Sequence, residues 1–150
     1  MQWKLLNDDQ EKVYAAIFDK GDEFIASLKQ FARDKGLTGS YFTGVGAFRS
    51  IVLGYFMPDA KEYKEIPVEE QVEVLSLVGD IALTPDGEPE VHAHVVLGKS
   101  DATAIGGHIL NAHVWPTLEL VVTESPDYLQ KRHDSETGLA LIDPGASKER

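Results

Sequence analysis

The chain of 150 residues contains no cysteine. Disulfides, thiolate zinc sites, iron–sulfur clusters and cysteine nucleophiles are excluded with it. Any transition-metal site must therefore be built from His, Asp or Glu. Basic residues are also few: 14 Lys and Arg stand against 25 Asp and Glu, a net charge of −11. No run of Lys or Arg interrupts that balance, so a nucleic-acid backbone is a poor partner. Long apolar runs are missing too. No stretch reaches the ~20 consecutive, mainly apolar residues of a membrane helix. The first residues, Met1 to Asp9, lack the apolar segment of a signal peptide. A cytoplasmic protein without a membrane partner is expected. No repeat or low-complexity tract is present.

What remains is a globular composition, with 43% apolar residues. The length suits one compact domain, here residues 1–142, followed by a flexible tail over 143–150. One helix is predicted over residues 22–35. Phe24, Ile25, Leu28, Phe31 and Ala32 recur at three- and four-residue spacing and share one face, and Gly36 suits the C-terminal cap. Strand signals fill most of the rest: 13–18, 40–45, 50–57, 63–68, 71–83, 89–97 and 118–124. In 71–83, alternation places Val72, Val74, Ser76 and Val78 on one side. Thr84 to Glu88 reads as a hairpin turn, with Asp86-Gly87 its strongest element. One principal helix against a mainly antiparallel sheet is an α+β fold.

Three of the five histidines cluster in sequence. His92 and His94 sit two apart on a predicted strand and project to one face, roughly 6–7 Å apart. That spacing lets two imidazoles converge on one ion at ~2.0–2.1 Å per bond. His108 follows Gly106-Gly107, where the backbone can bend or approach closely, and can return a third nitrogen. Three imidazoles with an open fourth position suit a catalytic divalent metal, zinc first. His113, five residues after His108, faces the other way on a regular strand and reads as a residue supporting the ligands from behind or lying at an interface. His133 lies in a polar segment and reads as solvated.

Thr43-Gly44-Val45-Gly46-Ala47-Phe48-Arg49 has a G-x-G without the third glycine of a dinucleotide fold. Gly44 and Gly46 are expected in a tight turn or bulge. Arg49 beside them is a candidate anion contact. Gly44 to Arg49, Glu73 to Asp80, His92-Ala93-His94 with Ala104 to His108, and Ala112 to Glu119 occur in one order. Together these blocks resemble a bacterial PPC domain, the plants and prokaryotes conserved domain, over about residues 10–125. The resemblance implies an α+β fold and a homotrimer. Plant members carry an AT-hook that binds DNA; nothing here matches that motif. The histidine pattern is similar to that of α-acetolactate decarboxylase, whose zinc is held by an H-x-H pair and a further His. The likeness transfers to His92, His94 and His108 only.

The leading expectation is a trimeric protein holding a divalent metal and accepting a small anionic molecule. Arg49 would bind a carboxylate, and Glu73 or Glu119 would serve as general base. The alternative is a non-enzymatic interaction or regulatory module, with Val114-Trp115-Pro116 as a contact element. DNA binding, a role often attached to this family, conflicts with the charge.

Overall fold

A computed structural model describes residues 1–8, 11–125 and 128–146. Its elements run β1 (Gln2–Asp8), β2 (Lys12–Phe18), α1 (Phe24–Lys35), β3 (Gly39–Met57), β4 (Glu62–Val68), β5 (Val72–Leu83), β6 (Pro89–Gly98), β7 (Ala104–Glu124), β8 (Lys131–His133) and β9 (Ala140–Ile142). The fold is α+β, with a single helix and antiparallel strand ladders, as the sequence indicates. None of the described residues forms a helix long and apolar enough to cross a membrane.

The helix forms where its apolar stripe predicts. Phe24, Leu28, Phe31 and Ala32 are buried. Glu23 caps its start, accepting from the Ile25 and Ala26 amides at 3.3 and 2.6 Å. The same carboxylate accepts from the Ala112 amide at 3.1 Å, which fastens the helix start to β7. Gly36 closes the other end in the left-handed conformation, φ 64°. Full burial of a side chain such as Leu28 stabilises the fold by about 1.5–3 kcal/mol.

Long-range pairing organises the rest. One edge of β3 pairs with β5, and its other edge with β7. β5 pairs with β6, and β6 with the start of β7. The ladder β3–β5–β6–β7–β3 therefore closes on itself. β4 extends it beyond β3, and β2 and β1 beyond β7. The buried strand faces join the helix stripe in one apolar cluster. At the end of β7, Glu124 is buried but accepts from the Thr38 and Gly39 amides and the Thr38 and Ser40 hydroxyls. That carboxylate ties the helix–β3 connection to β7.

Bulges account for most departures from the sequence expectations. Residues 40–45 and 50–57 form one continuous strand, not two. Gly44 and Gly46 lie inside it at a register shift, the bulge of the two expected alternatives and not the turn. Gly46 has φ 151°, and a Cβ there would lie 2.4 Å from the Thr117 carbonyl oxygen, so only glycine fits. The facing shift between Val74 and Ser76 inverts the sides of β5. Leu77 is consequently buried and Val78 exposed, the reverse of simple alternation. β7 is three times the expected length, because residues 104–117 also pair with β3 and β6. β1, β8 and β9 were not expected; each draws its ladder from a partner strand. Of the expected tail, residues 143–146 form a turn beside β8, with Arg132 Nε 3.3 Å from Asp143 Oδ2. Residues 147–150 lie outside the described residues.

Gly106 permits a close approach of β6 and β7: a Cβ there would sit 2.5 Å from the Val95 carbonyl oxygen. Gly106→Ala is expected to cost about 1–3 kcal/mol of folding free energy through overpacking. Urea denaturation measures it; unchanged stability would contradict so tight a contact.

Candidate metal centre

Two strand registers assemble the centre. In the β5–β6 hairpin, Asp80 pairs with His92 and Val78 with His94. In the β6–β7 ladder, His94 pairs with His108. His92 and His94 share the outer face of β6, because Val91, Ala93 and Val95 between and beside them fill the core. His108 joins them from the facing strand. No bend at Gly106-Gly107 is needed; a plain antiparallel ladder delivers the third imidazole.

The ring centroids form a nearly equilateral triangle, 5.1 Å for His92–His94 and 5.3 Å for each pair with His108. One nitrogen from each lies within 4.8 Å of the others. The Nε2 atoms of His92 and His94 are 3.2 Å apart. Two nitrogens on one tetrahedral zinc, at ~2.0–2.1 Å each, stand about 3.3 Å apart.

The surroundings suit that role. His92 Nδ1 lies 3.1 Å from Asp80 Oδ2. A proton on Nδ1 donated to that carboxylate leaves the Nε2 lone pair free, the usual support of a metal-ligating histidine. Burial, aided by the neighbouring imidazoles, pushes the His108 pKa down to about 4. Burial also lowers that of His94, and His92 adds to the shift. Both rings are therefore neutral near pH 7, as metal ligation requires. Tyr63 of β4 stacks on His108, centroids 4.6 Å apart and planes 20° from parallel. Burial raises the Tyr63 pKa above 10.0, keeping it a neutral phenol.

His92 and His108 open onto a cavity of about 440 Å³, roofed by residues 139–142 around β9. His94 faces a neighbouring hollow of about 280 Å³ beside Val78 and Val96. Among the described residues, three buried side-chain atoms have no hydrogen-bond partner: Asp80 Oδ1, Glu90 Oε2 and His108 Nδ1. All three residues line the larger cavity. Buried polar atoms are seldom left unpaired, so the protein alone leaves this space chemically incomplete. One pair of imidazole nitrogens at tetrahedral spacing, a third ring nitrogen within 4.8 Å, a supporting carboxylate and an orphaned nitrogen fit a divalent ion.

The other expected site residues lie elsewhere. Arg49 is exposed beside Lys20, His113 and Trp115, around a separate hollow. Glu73 pairs with Gly98 at the far end of β5. Glu119 is exposed next to Gly44, away from the histidines. Gly44 and Gly46 pack against residues 117–120 of β7, not against the centre. His113 does not face opposite His108. A bulge between Asn111 and Ile109 shifts the alternation, and both side chains stand outside the core. Trp115 is half-buried under the Lys20 ammonium, 3.7 Å from its ring centroid. His133 is exposed, as expected. Sequence reading missed Tyr63, Asp80, Glu90 and Lys131. The turn at 84–88 carried a signal for Asp80, since counting back from it sets Asp80 opposite His92.

Asp80→Asn keeps the shape but removes the charge that orients His92. Zinc affinity is expected to fall about 10–100-fold, measured by competition with a chelator; equal affinity would contradict the orienting role. His108 has a folded pKa of about 4 against 6.5 for the free side chain. Below about pH 6.5 the unfolded chain takes up a proton that the folded chain refuses. Metal-free protein is expected to lose stability as pH falls from about 6.5 toward 4. His108→Gln should flatten that profile in thermal melts; an unaltered profile would contradict it.

Residues 6–126 match the Plants and Prokaryotes Conserved (PCC) domain. No functionally curated protein matches the chain. A plant- and prokaryote-conserved (PPC) protein of Pyrococcus horikoshii is 31% identical, with a TM-score of 0.82 over 95% of this chain and 94% of that one. A protein of Archaeoglobus fulgidus described as metal-containing is 30% identical, with a TM-score of 0.80 over 95% and 96%. A “putative DNA binding protein” of Bacteroides thetaiotaomicron is 25% identical, with a TM-score of 0.83 over 94% and 96%. A Staphylococcus aureus protein similar to α-acetolactate decarboxylase shares the fold alone, at 14% identity and a TM-score of 0.53 over 79% and 52%. The chain thus belongs to the Plants and Prokaryotes Conserved domain family.

Proposed function

We propose that this protein binds a divalent metal ion, zinc first, through His92, His94 and His108, and uses it on a small anionic molecule. The observation that carries the reading is the convergence of three ring nitrogens within 4.8 Å, with Asp80 orienting one of them. The metal-containing relative from Archaeoglobus fulgidus supports it. Bound there, the ion supplies a Lewis acid with an open coordination position. The protein's part is to hold three imidazoles in register and to present a cavity beside them. Asp80 fixes the His92 tautomer, and Tyr63 holds the His108 ring by stacking.

A homotrimer is part of the proposal. Val45, Leu75, Val78, Val96 and Val121 are each more than 40% exposed on the outer strand faces. Val78 and Val96 border the hollow beside His94, so a second copy seated there would cover the centre's open side. The cytoplasm is the proposed compartment, since a cysteine-free fold needs no oxidising environment. DNA is not a proposed partner, because a charge of −11 per chain repels a polyanion.

Elemental analysis of untagged protein tests the reading. About one divalent ion per chain is expected, lost in His92→Ala while sedimentation still reports a trimer. Equal metal content in the variant would contradict the site. Monomer at every concentration would contradict the trimer.

A further inference from the structure

The cavity beside the histidines holds a cation whose position the metal reading does not explain. Lys131 of β8 lines it, yet only 6% of its side chain is exposed. An ammonium carries three donors, and burying it is costly unless they are satisfied. Among the described residues its ion-pair partner is Glu90, with Nζ 3.3 Å from Oε2. That oxygen nevertheless takes no hydrogen bond. The contact is therefore a charge pair whose carboxylate oxygen keeps unused hydrogen-bonding capacity. Glu90 stands two residues before His92 on the same face of β6, so the pair lies next to the metal centre.

Charge balance says what belongs between them. Asp80 and Glu90 bring two negative charges to the cavity, and Lys131 one positive charge. A divalent ion among neutral imidazoles leaves one positive charge uncompensated. A single anionic group restores neutrality. Val91 of β6 and Leu139, Ala140, Leu141 and Ile142 around β9 add aliphatic lining. An occupant therefore needs one anionic end and a compact apolar body, and about 440 Å³ sets its size. Arg49, the anion contact expected from sequence, lines a different hollow.

We propose that the cavity binds a small aliphatic monocarboxylate, its carboxylate held by Lys131 and its hydrocarbon part against the β9 segment. Lys131 is thus a substrate-binding residue of the centre, supplying a charge-assisted hydrogen bond. This deepens the metal reading and rests on it.

Calorimetry on the full-length zinc-loaded protein, with 3-methylbutanoate and its neutral amide as probes, tests the inference. Elemental analysis precedes each titration. Wild-type protein is expected to bind the carboxylate and not the amide. Lys131→Met should retain its zinc and bind the carboxylate at least about tenfold more weakly, a loss of ~1.4 kcal/mol. Lys131→Met strands Glu90, so Glu90→Gln/Lys131→Met is titrated beside it as a variant free of unpaired charge. Lys131→Arg should keep most of the affinity. Equal carboxylate affinity in wild-type protein and both Met variants would overturn the inference, as would equal binding of acid and amide or no binding at all. Failure of the metal reading looks different. Wild-type protein would then hold no zinc before any carboxylate is added, and the inference would fall with it.

Discussion

Two antiparallel registers, β5 on β6 and β6 on β7, fix the chemistry of this molecule. They place Asp80 opposite His92 and His94 opposite His108. A slip of one residue in either ladder would send the histidines to the other face. Three devices hold the registers. The tight turn at 84–88 sets the first, with the Thr84 and Gly87 amides bonded within it. The close approach at Gly106 sets the second. Barrel closure through β3 prevents either strand from sliding independently, because β5 and β7 are both paired to it. The apolar cluster and the helix stabilise that closure, and the three-histidine cluster is carried on its outer surface.

The chain is acidic, and the cavity beside the histidines gathers Asp80, Glu90 and Lys131. A histidine driven down to about 4 by burial is a poor proton acceptor but a ready metal ligand. Unpaired acceptors on Asp80 and Glu90, together with a buried Lys131, leave the cavity unsatisfied by the protein alone. Natural interiors rarely tolerate this except where something binds. The short β8–β9 hairpin gives this otherwise hollow surface its roof, which explains why residues beyond the last long strand matter.

Much of this was legible in the chain. The H-x-H of His92 and His94 projects to one face by strand geometry alone, and the helix stripe and its Gly36 cap are local patterns. His108 is readable as the third histidine of the cluster, although a plain ladder rather than a glycine bend delivers it. What could not be read depends on long-range closure or on bulges. Leu77 and Val78 exchanged faces because β5 carries an extra residue. His113 did the same through the shift near Asn111. Arg49, Glu73 and Glu119 stand out in the chain by residue type alone, and only the closed ladder shows that they lie along their strands away from His92, His94 and His108. Lys131 and Glu90 carry no local signature; their contact needs β8 folded back over β6.

The central claim is that three imidazoles share one ion. X-ray absorption at the zinc edge, on untagged protein loaded with one equivalent of zinc, addresses it directly. Three imidazole nitrogens at about 2.0–2.1 Å, completed by a fourth ligand, are expected. A shell of oxygens alone, or one with fewer than three imidazoles, would contradict it.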